Sequence, residues 1–144
     1  MLPRLSRETS TTPDVKRFLL GLLASGFDGE TSTDESSRAI ASNDNSIWQR
    51  MPQVVISPKS NSGVAQVVKL LSDKSHRSIS ITPRGGGTST AGQTLTNSIV
   101  LDCKRYMHRI LDFDSETKRV TVECGAVLEQ VNEALKQHGV MIGP

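Results

Sequence analysis

The stretch Pro83-Arg84-Gly85-Gly86-Gly87-Thr88-Ser89-Thr90-Ala91-Gly92-Gln93 decides how the rest of the chain is read. Three successive glycines admit positive φ angles and let a ligand reach the backbone with no Cβ in the way. Thr88, Ser89 and Thr90 add hydroxyl groups beside them. A concave run of backbone N–H groups with hydroxyls alongside is an anion nest, suited to a pyrophosphate. Glycines alone also make a plain flexible loop, so two phosphate motifs are tested against the stretch. A P-loop, G-x-x-x-x-G-K-[ST], matches the spacing from Gly87 to Gly92, but Gln93 stands where the phosphate-neutralising lysine belongs. A dinucleotide fingerprint, G-x-G-x-x-G, starts at Gly85 and Gly87 and ends on Thr90 instead of glycine. Both motifs also need a helix immediately downstream. The next element here is the apolar run Ile99-Val100-Leu101, which reads as a strand.

Upstream, Ile79 and Ile81 alternate with Ser78, Ser80 and Thr82, the period of a strand leading into the glycines. Before it, Val54-Val55-Ile56 is a buried-strand run closed by Ser57-Pro58. Between the two, Ser60 or Ser62 can cap a helix with Val64, Val67, Val68 and Leu71 on one stripe. This is a βαβ unit, expected to be parallel and right-handed. Nearer the N-terminus, residues Met1 to Ser10 read as an extended or frayed arm. Thr12 and Pro13 open a helix whose Val15, Phe18, Leu19 and Leu22 share a face, and Gly26 closes it. The polar stretch from Phe27 to Gln53 is expected to be irregular, with Trp48 and Ile47 anchoring it on the core. Downstream, Ile110 to Phe113 and Val120 to Cys124 flank the turn DSETK as a hairpin, with Val120, Val122 and Cys124 on one face. A last helix carries Val127, Leu128, Val131 and Leu135, and Gly139 caps it.

Composition narrows the function classes. Seventeen basic against fifteen acidic residues leave a formal charge of +2, too little for a nucleic-acid surface. No run approaches the ~20 apolar residues of a membrane span, and the N-terminus lacks the apolar stretch of a secretory signal. A cytoplasmic location is expected. Cys103 and Cys124 have no CxxC spacing, and each reads as a small apolar strand residue in preference to a disulfide or metal role. His76, His108 and His138 match no zinc spacing.

A strand, a glycine loop and a second strand, with no helix dipole, resemble the FAD-binding domain of the FAD-linked oxidase superfamily (the vanillyl-alcohol oxidase or PCMH-type fold). The likeness extends beyond the loop, to Asp44-Asn45-Ser46, the Val54 to Ser60 strand, Arg84 to Ser89, Asp102 to Ile110, and Val120 to Gly125. TPRGGGTSTAGQ, with DNSIW ahead of it and Arg105-Tyr106-Met107-His108-Arg109-Ile110 after it, is similar to bacterial D-2-hydroxyglutarate dehydrogenases of the long FAD and iron–sulfur type.

The resemblance implies an α+β fold, with an arm and helix over 1–43 and the first part of a PCMH-type FAD-binding domain over 44–144. It implies that Gly85, Gly86, Gly87, Thr88 and Ser89 contact the FAD pyrophosphate, chiefly through backbone N–H groups. Gln93 and Thr94 would complete the cradle, and Arg84 would either approach the phosphates or brace the loop. Asp44, Ser46 and Trp48 read as structural, and Asp102 and Glu123 as local hydrogen-bond anchors. The implied reaction is oxidation of a D-2-hydroxy acid, 2-hydroxyglutarate or lactate-like, with electrons passing on to an acceptor the sequence does not identify. Catalytic residues and an iron–sulfur region would lie beyond Pro144, so the chain is expected to be a truncated piece that holds flavin weakly and self-associates. The competing class is a non-catalytic nucleotide-binding module, or a truncated gene product that holds no flavin.

Overall fold

The computed structural model describes residues 11–143, so the arm expected over Met1 to Ser10 lies outside the described residues. Helix α1 spans Pro13–Ala24. Thr12 caps it by accepting from the Val15 N–H, and Gly26 beyond its end takes φ 69°. Val15, Phe18 and Leu22 point inward. Four strands follow in the main sheet: β1 (Gly29–Ser32), β2 (Val54–Pro58), β3 (Ile81–Arg84) and β4 (Ile99–Asp102). Helix α2 (Glu35–Ile40) joins β1 to β2, and α3 (Asn61–Leu71) joins β2 to β3. A separate hairpin, β5 (Ile110–Asp114) with β6 (Arg119–Val122), leads to α4 (Leu128–Leu135). Gly139 ends the turn after α4 at φ 67°.

The strand order is β1-β2-β4-β3. The expected βαβ unit is present, but its two strands are not neighbours, because β4 lies between them and runs parallel to both. Burial explains the choice. Ile99, Val100 and Leu101 are all buried, and the central position covers a strand on both edges and both faces. Val54, Ile56, Ile99 and Leu101 pack on one face against Val15, Phe18 and Leu22 of α1 and Val67 of α3. Among the described residues, the other face carries a small buried cluster of Ala41, Val55 and Val100.

Several expectations need correction. The segment from Phe27 to Gln53 is not wholly irregular. β1 pairs antiparallel with β2 from Gly29↔Pro58 to Ser32↔Val55, and α2 is capped by Asp34 accepting from the Ser37 N–H. β1 has no apolar alternation because it is an edge strand held by main-chain bonds. Trp48 and Ile47 do not anchor that segment: they are 62% and 93% exposed. Hydrogen bonds hold it instead, as described below. On α3, Val68 is exposed and Leu70 packs towards the core in its place. The helix is turned so that Leu70 meets α1, where a Cβ on Gly21 would touch it at 3.4 Å.

The hairpin strands are thinly covered. Ile110, Leu111 and Val122 are exposed, and Cys124, expected inside the second arm, is exposed just beyond it. Among the described residues no helix is long and apolar enough to cross a membrane.

Candidate functional site

The glycine loop leaves the carboxyl end of β3 and returns to β4, so it sits where parallel strands of an open sheet present ligands. Of the eight residues expected to hold a cofactor, Arg84 closes β3 and the other seven, up to Thr94, lie on this one excursion. Among the described residues no backbone N–H from Gly85 to Thr90 donates a hydrogen bond within the protein. Uncommitted amides in series, at a partly open surface, are the donor set of an anion nest. Added Cβ atoms on Gly85 and Gly86 would meet nothing nearer than 3.6 Å and 3.7 Å, so the backbone there is open to approach. Left-handed φ falls on Gly87 (70°) and Gly92 (79°), not on Gly86.

Several side chains of the loop make bonds that hold its shape. Arg84 braces it. Its Nη1 donates to the Asn43 carbonyl at 2.8 Å and to Thr94 Oγ1 at 3.4 Å, and its guanidinium fills the space a Gly87 Cβ would need. Gln93 accepts from the Ala91 N–H at 3.1 Å through Oε1. The Ser89 hydroxyl donates to Asp44 Oδ2, and Thr94 Oγ1 donates to the same oxygen at 3.2 Å. Among the described residues of the loop, the hydroxyl groups of Thr88 and Thr90 take no part in these bonds.

Asp44 does more than its sequence context suggests. Its Oδ1 accepts from the Ser46 N–H at 2.9 Å, closing an Asp-x-Ser turn. The Asn45 N–H donates to the Ser89 carbonyl at 3.0 Å. Two segments 45 residues apart are thus stitched together on one carboxylate. Hydrogen bonds from Ser46 first, then from Ser89, hold that carboxyl well below the usual range. A depressed native pKa stabilises the fold above about pH 4, and that contribution is lost as pH falls through the native value. The melting temperature of the wild type is therefore expected to drop between about pH 5 and pH 3 more steeply than that of Asp44→Asn. Equal slopes for the two proteins in a thermal titration would refute the role. Asp34, Asp73, Asp114 and Glu123 are shifted the same way, so the variant retains part of the slope.

Asp102 and Glu123 are local anchors, as expected. Asp102 Oδ1 accepts from the Lys104 N–H at 3.0 Å, while Glu123 accepts from the Arg109 N–H at 2.8 Å and from its Nη2 at 2.7 Å. Next to the loop, on the thinly covered sheet face, Ser32, Ser57, Arg84, Asp102 and Arg105 line a cleft. Arg105 is neutralised there by Glu30 at 2.9 Å.

Residues 52–144 match the model of a family described as FAD binding domain. The chain belongs to that family. Its full length is 40% identical to a D-2-hydroxyglutarate dehydrogenase of Pseudomonas putida, of which it covers 14%. A mitochondrial D-lactate dehydrogenase [cytochrome] of Kluyveromyces lactis is 32% identical over 97 residues, which are 64% of this chain and 16% of that protein. A solved alkyldihydroxyacetonephosphate synthase superposes with a TM-score of 0.78 at 19% identity, over 97% of this chain and 28% of its own. The chain thus spans about one-seventh of the length of the D-2-hydroxyglutarate dehydrogenase it matches. For this FAD-binding domain, the residues of the loop fit the group: free amides, open glycines and a rigid frame suit a diphosphate that carries two negative charges.

Proposed function

We propose that this chain forms the pyrophosphate-binding wall of a flavin site in an oxidoreductase that oxidises D-2-hydroxy acids, 2-hydroxyglutarate or a lactate-like acid. The observation that carries the reading is the row of uncommitted amides from Gly85 to Thr90 over open glycines. Gly85, Gly86, Gly87, Thr88 and Ser89 offer N–H donors to the diphosphate, and the Thr88 hydroxyl adds a further one. Gln93, Thr94 and Arg84 keep the loop in shape through their own bonds, so their contribution is pre-organisation. When bound, the flavin supplies acceptance of the hydride released as the hydroxyl carbon is oxidised. This chain's part is to hold and orient the dinucleotide tail. The D-2-hydroxyglutarate and D-lactate dehydrogenase relatives support the substrate class, and a cytoplasmic location accompanies the reading.

The test is a titration of the isotope-labelled chain followed by amide chemical shifts. ADP and FAD are expected to move the Gly85 to Ser89 amides, and riboflavin, which has no phosphate, is expected to leave them in place. Riboflavin shifts equal to those of FAD, or ADP shifts centred away from the loop, would overturn the assignment.

A further inference from the structure

The fold brings together two cysteines that lie apart in the sequence, and it does so directly beneath the glycine loop. Gly125 makes this approach possible. A Cβ at that position would stand 2.4 Å from the Cys103 carbonyl oxygen, 2.6 Å from its carbonyl carbon and 2.7 Å from Lys104 Cα. The segments 103–104 and 124–125 therefore touch backbone to backbone. Main-chain bonds fix the approach: the Gly125 N–H donates to the Met107 carbonyl at 2.8 Å, and the Met107 N–H donates to the Cys103 carbonyl at 3.0 Å. Both cysteines are free thiols. Cys103 is buried at the edge of the main core, and Cys124 is exposed. Burial first, and then the hydrogen bond and charge of the Cys124 side chain, push the Cys103 thiol up to about 12.

We propose that Cys103 and Cys124 are a modification site, which closes to a reversible intramolecular disulfide when the protein meets a peroxide. The roles follow from exposure. Cys124, open to solvent, attacks one peroxide oxygen. The O–O bond breaks, giving a sulfenic acid on Cys124 and one water, which carries away the thiol proton. The Cys103 sulfur then attacks the Cys124 sulfur. The S–O bond breaks, and the hydroxyl leaves as a second water with the Cys103 proton. Two thiols are oxidised and one peroxide is reduced to two waters. The second step is the slower, because the Cys103 thiolate forms reluctantly in its buried setting.

The bridge would also clamp the base of the loop. The Cys103 N–H donates to the Arg84 carbonyl at 3.0 Å, and the Cys124 carbonyl oxygen is 3.6 Å from the Cβ position of Gly85.

The test treats the reduced chain with hydrogen peroxide, blocks remaining thiols with N-ethylmaleimide, and maps the products by mass spectrometry. The native protein is expected to lose about 2 Da and yield one cross-linked peptide pair holding Cys103 and Cys124, restored by dithiothreitol. Bridging should be at least about tenfold faster in the native chain than in urea, because the fold supplies the proximity. In Cys124→Ser, a substitution at an exposed position, Cys103 should stay reduced under the same treatment. Oxidation confined to Cys124 in the native chain, bridging no faster than in urea, or ready oxidation of Cys103 in Cys124→Ser would each overturn the proposal.

Discussion

Gly87→Val is expected to abolish ADP and FAD binding and to lower stability by about 1–3 kcal/mol. Gly87 has φ 70°, a region where an L-residue costs roughly 1–2 kcal/mol and a β-branched one is a true outlier. Its new Cβ would stand 2.3 Å from Arg84 Nη2 and 2.6 Å from Cζ. The guanidinium is the end of a flexible side chain and can swing away. Doing so breaks its 2.8 Å bond to the Asn43 carbonyl, so the loop loses its turn and its brace together. Gly86→Ala is the control. Gly86 is outside the left-handed region, and its Cβ would meet only the Thr88 side chain, at 3.7 Å. Its stability should be unchanged within about 0.5 kcal/mol, so any loss of affinity reports obstruction of the ligand at the backbone. Urea unfolding and ADP titration of both variants measure the effects. Wild-type ADP affinity in Gly87→Val would remove the loop from the site.

The largest loss of stability is expected from Ile99→Ala, at about 2–5 kcal/mol. Ile99 is fully buried, pairs with Val54 of β2 on one side and Ile81 of β3 on the other, and packs under α1 and α3. Because α1 and α3 are held by this one sheet face, the cavity cannot be closed by a small local shift. With a urea slope of about 2 kcal/mol/M the unfolding midpoint should fall by about 1–2.5 M. Val68→Ala is the matched comparison on an exposed position of α3, and should move the midpoint little. A shift for Ile99→Ala as small as that for Val68→Ala would mean that β4 is not the centre of the core.

The elements with complete local signals are legible in the amino-acid sequence. Thr12 and Ser60 cap their helices, Ile99 to Leu101 form the apolar strand, and Gly139 ends the last turn, because each signal acts within a few residues. α2 is not legible in the same way, although Asp34 announces it, since six residues carry no readable apolar stripe. β1 is equally silent, because Gly29-Glu30-Thr31-Ser32 owes its extension to the ladder with β2 and to nothing in its own composition. Trp48 misleads for a different reason. A large apolar residue suggests burial, yet the polar turn at Asp44 and Ser46 holds that segment and leaves the indole outside.

The sequence by itself determined the three longer helices, the strong strands and a glycine loop between two strands that could not be a P-loop or a dinucleotide fingerprint. These follow from caps, periodicity and residue spacing, all local properties of the chain. Only the tertiary structure decided that β4 takes the centre of the sheet, that Arg84 reaches the Asn43 carbonyl, that Asp44 ties down Ser89 and Thr94, and that the backbone at Cys103 meets that at Gly125. The reason is common to all four. Each depends on which distant segments the burial of the apolar strands brings into contact, and a hydrogen bond or backbone contact across tens of residues leaves no periodic trace in the sequence.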